Sequence, residues 1–276
     1  MGTSNLFVNT KDIYQTSVAE LVQRKRQKRF NPGAKGSKLS LTVGRILSTI
    51  QPLPDHAVLL GRCLDGLPLL LTLSDPDIGA ILIGGDGDCG KTHHLQVMVD
   101  SAIRTHLSKD LQIIILTHHP EDWQYLIQQS QKRKYIQALH AWYDPGAEST
   151  LKSLLSLAES RRDGMEEGPK VVLLLDDLNF IESLSFEAQA NLHWLLAYGA
   201  QSGVWLIGTI KTKMAPRYRY WMELFRTRII GRVLSKGELA DLTLINGLQM
   251  KPLEPSEFRV WTGKDWLTYQ IPLLGN

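Results

Sequence analysis

The residues with the clearest chemical potential lie between Gly84 and His94, in the run Gly-Gly-Asp-Gly-Asp-Cys-Gly-Lys-Thr-His-His. Gly85, four intervening residues, then Gly90, Lys91 and Thr92 fit the spacing of a nucleoside-triphosphate loop. Glycines let backbone N–H groups curl round phosphate oxygens, and the helix that follows adds its positive N-terminal end. Lys91 is placed to neutralise the outer phosphates, and the Thr92 hydroxyl to bind Mg2+. The expected nucleotide-binding set is Gly85, Asp86, Gly87, Asp88, Cys89, Gly90, Lys91, Thr92 and His93. ATP and Mg2+ are the expected cofactors.

A second group follows an apolar run, Val171–Leu175, which ends in Asp176 and Asp177. Such a strand is expected to lie beside the loop strand and to hold an acid near Mg2+. Thr92 and Asp176 form the expected metal set, with Asp177 placed to orient or activate water. A strand-end acid pair that faces solvent or caps the next helix would have the same sequence.

Cations form two further groups. Arg24, Lys25, Arg26, Lys28 and Arg29 are packed into six residues. Lys211, Lys213, Arg217 and Arg219 alternate with Tyr218, Tyr220 and Trp221. Phosphate contacts with base stacking are the chemistry of nucleic-acid loops, so both groups are candidate nucleic-acid contacts. A solvated arm and an exposed loop with aromatics packed beneath are the alternatives. Arg226, Arg228 and Arg232 are candidate fingers that would neutralise phosphoryl charge across a subunit boundary. His93-His94 and His118-His119 lack the accompanying cysteine pattern of a zinc site.

These residues need a scaffold. Strands are expected at 58–60, 69–73, 80–83, 111–116, 141–143, 171–175, 204–208 and 229–233, with a closing hairpin around Gly263. Helices are expected at 91–108, 121–135, 148–162, 186–201 and 218–224. Strands that alternate with helices predict an α/β fold with a mainly parallel central sheet flanked by helices. A basic N-terminal helical arm and linker over 1–39 precede a domain over 40–276. The net charge of +3 divides into +6 over residues 1–40 and −3 over the remainder. Two cysteines form no disulfide framework, and no apolar run is long enough to cross a membrane. A cytoplasmic protein without a membrane anchor is expected.

The chain resembles the FtsK–HerA superfamily of RecA-like P-loop DNA-translocating ATPases over residues 58–276. Leu59–Pro68 is similar to the hairpin that precedes the phosphate loop in FtsK-type motors. Gly203–Lys211 sits where the family has a glycine, a strand and a polar sensor. Thr227-Arg228-Ile229 and Ser235-Lys236 resemble its Thr-Arg-Ile strand and Ser-Lys turn, and the segment from Leu242 to Trp261 resembles its closing segment.

The resemblance implies a RecA-like P-loop NTPase that hydrolyses ATP and translocates or remodels double-stranded DNA as a ring, commonly a hexamer. It implies catalytic roles for Lys91, Asp176, Asp177 and Arg228, with Arg228 as the finger. A nuclease, transposase or secretion partner is consistent with it. The sequence departs from the family pattern: Asp177 replaces the usual glutamate, Ile210 the usual glutamine, and Asp86 and Asp88 lie inside the loop. A chain without the long N-terminal region, membrane anchor and C-terminal DNA-reading domain of full FtsK motors is expected. A slow or non-motor ATP-binding module that assembles on DNA and recruits a partner is the alternative.

Overall fold

The computed structural model describes residues 41–50, 52–130, 134–245, 248, 250–261 and 265–275. The expected arm, with Arg24, Lys25, Arg26, Lys28 and Arg29, and the turn around Gly263 lie outside the described residues.

A short helix, α1 (Val43–Ser48), leads into an antiparallel hairpin of β1 (Ala57–Cys63) and β2 (Pro68–Thr72). The chain then alternates through β3 (Ala80–Gly85), α2 (Lys91–Thr105), β4 (Leu111–Thr117), α3 (Gln124–Ser130) and β5 (Ile136–Ala141). It continues through α4 (Gly146–Arg162), β6 (Lys170–Asp176), α5 (Phe186–Tyr198), β7 (Val204–Lys211), α6 (Arg219–Met222) and β8 (Phe225–Ile230). Helix α7 (Lys236–Thr243) precedes a hairpin of β9 (Glu257–Trp261) and β10 (Trp266–Gln270).

All ten strands form one sheet, in the order β2-β1-β10-β9-β8-β3-β7-β6-β4-β5. From β8 to β5 every pairing is parallel. From β8 to β2 every pairing is antiparallel. Strands β3, β4, β6 and β7 are buried on both faces, which explains why they read as apolar runs rather than alternating patterns.

Alternation is still present in three dimensions. Val171, Leu173 and Leu175 of β6 face a core shared with Leu151, Leu154 and Ala158 of α4 and Leu192, Leu195 and Leu196 of α5. Val172 and Leu174 face the opposite core, with Leu95, Met98 and Val99 of α2 and the fully buried Trp205. In α4, Ala147, Leu151, Leu154 and Ala158 recur at helical spacing and are the helix's buried residues.

Several boundaries differ from the sequence expectation. The strand expected at 141–143 is Ile136–Ala141, an edge strand paired only with β4. Its exposed Gln137 and half-buried neighbours interrupt the apolar run that would reveal it. The strand expected at 229–233 begins earlier, at Phe225, because its register on β3 runs from Ala80↔Phe225 to Gly84↔Ile230. The helix expected at 121–135 is a 3-10 turn, Pro120–Trp123, followed by the short α3. Helix α5 ends at Tyr198, and a 3-10 turn carries the chain to Gly203, whose φ of 71° suits glycine.

The two ends of the described domain are sewn together. Leu273 N donates to Leu41 O at 2.8 Å, Val43 N to Leu273 O at 2.9 Å, and Gly44 N to Gly275 O at 2.9 Å. Among the described residues no helix is long and apolar enough to cross a membrane.

Candidate nucleotide site

Strand β3 lies between β7 and β8, so the loop at its carboxyl end is flanked by the ends of both neighbours. Ligands bind at such carboxyl ends in α/β sheets. The loop closes on Gly90, which has φ of 95° and precedes the first residue of α2. A side chain would strain that conformation. Lys91 is buried, and its ammonium donates to Gly85 O at 3.1 Å and Asp86 O at 2.6 Å. The Cys89 thiol lies 3.7 Å from the same nitrogen, and burial pushes its pKa up.

Across the sheet, the Thr92 hydroxyl donates to Asp176 Oδ1 at 3.0 Å, and the Thr209 hydroxyl donates to the same oxygen at 3.0 Å. Asp176 is buried, and that desolvation raises its pKa despite both hydrogen bonds. It has no salt-bridge partner among the described residues. A buried carboxylate with two hydroxyl groups and no cation suits a hard divalent ion, which takes one or two carboxylates and completes its shell elsewhere. The donor set therefore fits Mg2+.

Thr209 was not singled out by its sequence; Ile210 was, as the occupant of the sensor position. Strand alternation separates the two. Thr209 faces Asp176, whereas Ile210 is 1% exposed and packs in the core with Ile230 and Leu242. Period-two alternation along β7 was the signal available for Thr209.

Asp177 follows immediately. Its carboxylate accepts from Asn179 N at 3.1 Å and caps the 3-10 turn Leu178–Ser183. Asp88 is exposed and sits at φ of 57°, a left-handed conformation that aspartate tolerates. Asp86, expected to face phosphate, instead points both carboxylate oxygens at protein. Thr212 Oγ1 donates to one at 2.8 Å and Leu234 N to the other at 3.1 Å.

The histidines point away from a common centre. His93 Nε2 meets Pro272 O at 2.9 Å, so its side chain ties α2 to the C-terminal segment. His94 is fully buried against Leu60 O, Phe258 and Tyr269, and burial lowers its pKa to about 3, which keeps it neutral. His118 stacks on Trp142 at the end of β4, with Phe180 edge-on.

Arg228 does not extend from the molecule. Its guanidinium donates to Met222 O at 2.8 Å and Thr243 O at 3.3 Å, bracing α6 and α7 against β8. Action as a finger on a neighbour would require both carbonyls to be given up.

In the basic turn, Lys211 and Lys213 are exposed, whereas Arg217 pairs with Glu182 at 2.8 Å and Arg219 with Glu223 at 3.5 Å. Tyr218, expected as a stacking ring, is 3% exposed and donates its hydroxyl to Glu182. Tyr220 is 62% exposed and lies over His193 with centroids 5.5 Å apart.

Several solved structures share this fold. The cytoplasmic domain of the type VII secretion ATPase EccC from Thermomonospora curvata matches 84% of this chain at 17% identity with a TM-score of 0.64. ATPases 2 and 3 of EssC from Geobacillus thermodenitrificans match 86% at 16% identity with a TM-score of 0.65. The pCW3 conjugation coupling protein TcpA, with ATPγS, matches 79% at 15% identity with a TM-score of 0.61.

The fold is that of these ATPase domains.

At these identities the likeness is one of fold. The chain spans 28% of the EccC chain, 45% of the EssC chain and 66% of the TcpA chain. No family model matches the sequence, and no curated protein matches it.

Proposed function

We propose that residues 40–276 form an ATP-hydrolysing, Mg2+-dependent domain of FtsK–HerA type that translocates or remodels double-stranded DNA as a ring, with residues 1–39 as a basic arm. The observation that carries the reading is the 3.0 Å contact between Thr92 and Asp176, which joins the phosphate loop to the acidic strand across 84 positions of sequence.

In this reading the amides of the loop and the Lys91 ammonium hold the phosphates. Lys91 is pre-positioned by the carbonyls of Gly85 and Asp86 and exchanges them for phosphate oxygens. Thr92 and Asp176 hold Mg2+, which supplies charge neutralisation at the phosphoryl oxygens. Thr209 keeps Asp176 in place, and Asp177 positions water. Lys211 and Lys213, which make no ion pair among the described residues, offer charge to a nucleic-acid backbone. Arg217 and Arg219 join them only by exchanging Glu182 and Glu223 for phosphate.

Turnover measured with and without duplex DNA, alongside particle size, tests the reading. Duplex DNA is expected to stimulate turnover in a ring-sized particle. The stimulation should fade with salt, by roughly 0.9 in the log–log binding slope for each phosphate contact. A monomer with turnover indifferent to DNA refutes the motor.

A slower, non-motor ATP-binding module that assembles on DNA and recruits a partner is the second reading. The engaged Asp177 favours it, since one of its oxygens is committed to Asn179 N. Asp177→Glu is then expected to accelerate turnover on the order of tenfold to a hundredfold, because a longer arm can reach water while small misplacements are costly. A slower Asp177→Glu enzyme in steady-state assays would show that the local backbone is fitted to aspartate.

A further inference from the structure

Asp86 has all four of its polar groups engaged, each by a different residue. Its N–H donates to Arg232 O at 2.8 Å, and its carbonyl accepts from Lys91 Nζ at 2.6 Å. One carboxylate oxygen accepts from Thr212 Oγ1 at 2.8 Å, the other from Leu234 N at 3.1 Å. Thr212 is 2% exposed and opens the basic turn, between Lys211 and Lys213. The buried Ile210 has no polar group with which to report on a bound phosphate.

We infer that Asp86 carries the state of the phosphate loop to the basic turn Lys211–Arg219, through Thr212. The inference rests on the reading that the loop binds nucleotide. A conformational change needs a group whose interactions differ between two states. Lys91 is that group: phosphate competes for an ammonium that otherwise bonds the Asp86 carbonyl. Loss of that bond shifts a residue fastened at three other points, two of them carboxylate contacts to segments 126 and 148 positions away. The buried hydroxyl of Thr212 follows its acceptor, and the exposed lysines on either side follow Thr212.

The test is amide hydrogen exchange of segment 211–219 in the full chain, with and without Mg2+ and a non-hydrolysable ATP analogue. The wild type is expected to change its exchange rate there on the order of fivefold or more, the lower end of ordinary coupling between sites. Thr212→Val should bind the analogue as well as the wild type but lose the response, and Thr212→Ser should keep it. If Thr212→Val fails to fold, the wild type decides, with Thr212→Ser expected to match it. Binding of the analogue without any change in 211–219 overturns the inference, as does a full response in Thr212→Val. A wild type that binds no analogue removes the nucleotide reading, and this inference with it.

Discussion

Lys91→Ala is expected to weaken nucleotide binding on the order of a hundredfold. The ammonium makes charge-assisted hydrogen bonds, which are about twice as strong as neutral ones, and each contributes roughly 1.5–3 kcal/mol. In the free protein it is satisfied by the carbonyls of Gly85 and Asp86, so nucleotide exchanges partners rather than ordering a loose side chain. Thermal unfolding gives a direct readout. At a hundredfold excess over its dissociation constant a ligand stabilises by about 2.7 kcal/mol. ATP with Mg2+ should therefore raise the wild-type melting temperature clearly and leave Lys91→Ala nearly unmoved. An equal rise in both proteins would dislodge Lys91 from the site.

Asp176→Asn should separate turnover from stability. Turnover is expected to fall on the order of 10²–10³-fold, the usual cost of removing one electrostatic element from a reacting centre. The free variant should nevertheless melt higher at neutral pH. Burial raises the folded-state pKa of Asp176 above its unfolded value, so between those values the native state binds the proton more often. The native state therefore loses stability as pH rises through that window, and the deficit persists above it. Asparagine does not titrate, and its Oδ1 can still accept from Thr92 and Thr209. The gain in melting temperature should be largest at neutral pH and shrink as falling pH lets the wild-type carboxyl take up its proton. Mg2+ should raise the melting temperature of the wild type and not that of the variant. Titration of melting temperature against pH and Mg2+ checks both statements, and a variant that melts lower at neutral pH contradicts them.

The parts of the site on buried parallel strands were legible in the sequence. Burial on both faces forces long apolar runs, and the runs at 80–83 and 171–175 end at the loop and at Asp176. The edge strand Ile136–Ala141 was not legible, because an edge half open to solvent mixes its residue types. Strand order was also hidden: the acidic strand β6 was expected beside β3, and β7 lies between them. The placement of β3 between β7 and β8 is set by crossovers, which leave no local mark. Tyr218 and Asp86 show the same limit in single side chains. An aromatic among cations reads as a stacking ring until Glu182 is found beneath it. Asp86 reads as a nucleotide-binding residue until Thr212 and Leu234, far away in sequence, are found to occupy its carboxylate.

The stitching of residues 41–44 to residues 273–275 has a topological consequence. The path of the backbone nearly closes on itself, so its order of connection is not dictated by where the two ends meet. A short linker from 275 to 41 would make a circle of residues 41–275. The circle could be opened at the exposed turn 164–168, which joins α4 to the amino end of β6, opposite the end that carries Asp176. Exposed turns of small and polar residues are where such permuted chains fold. The loop, the acidic strand and the basic turn would then stay in their present register, while β6 to β10 would precede α1 to α4 in the chain.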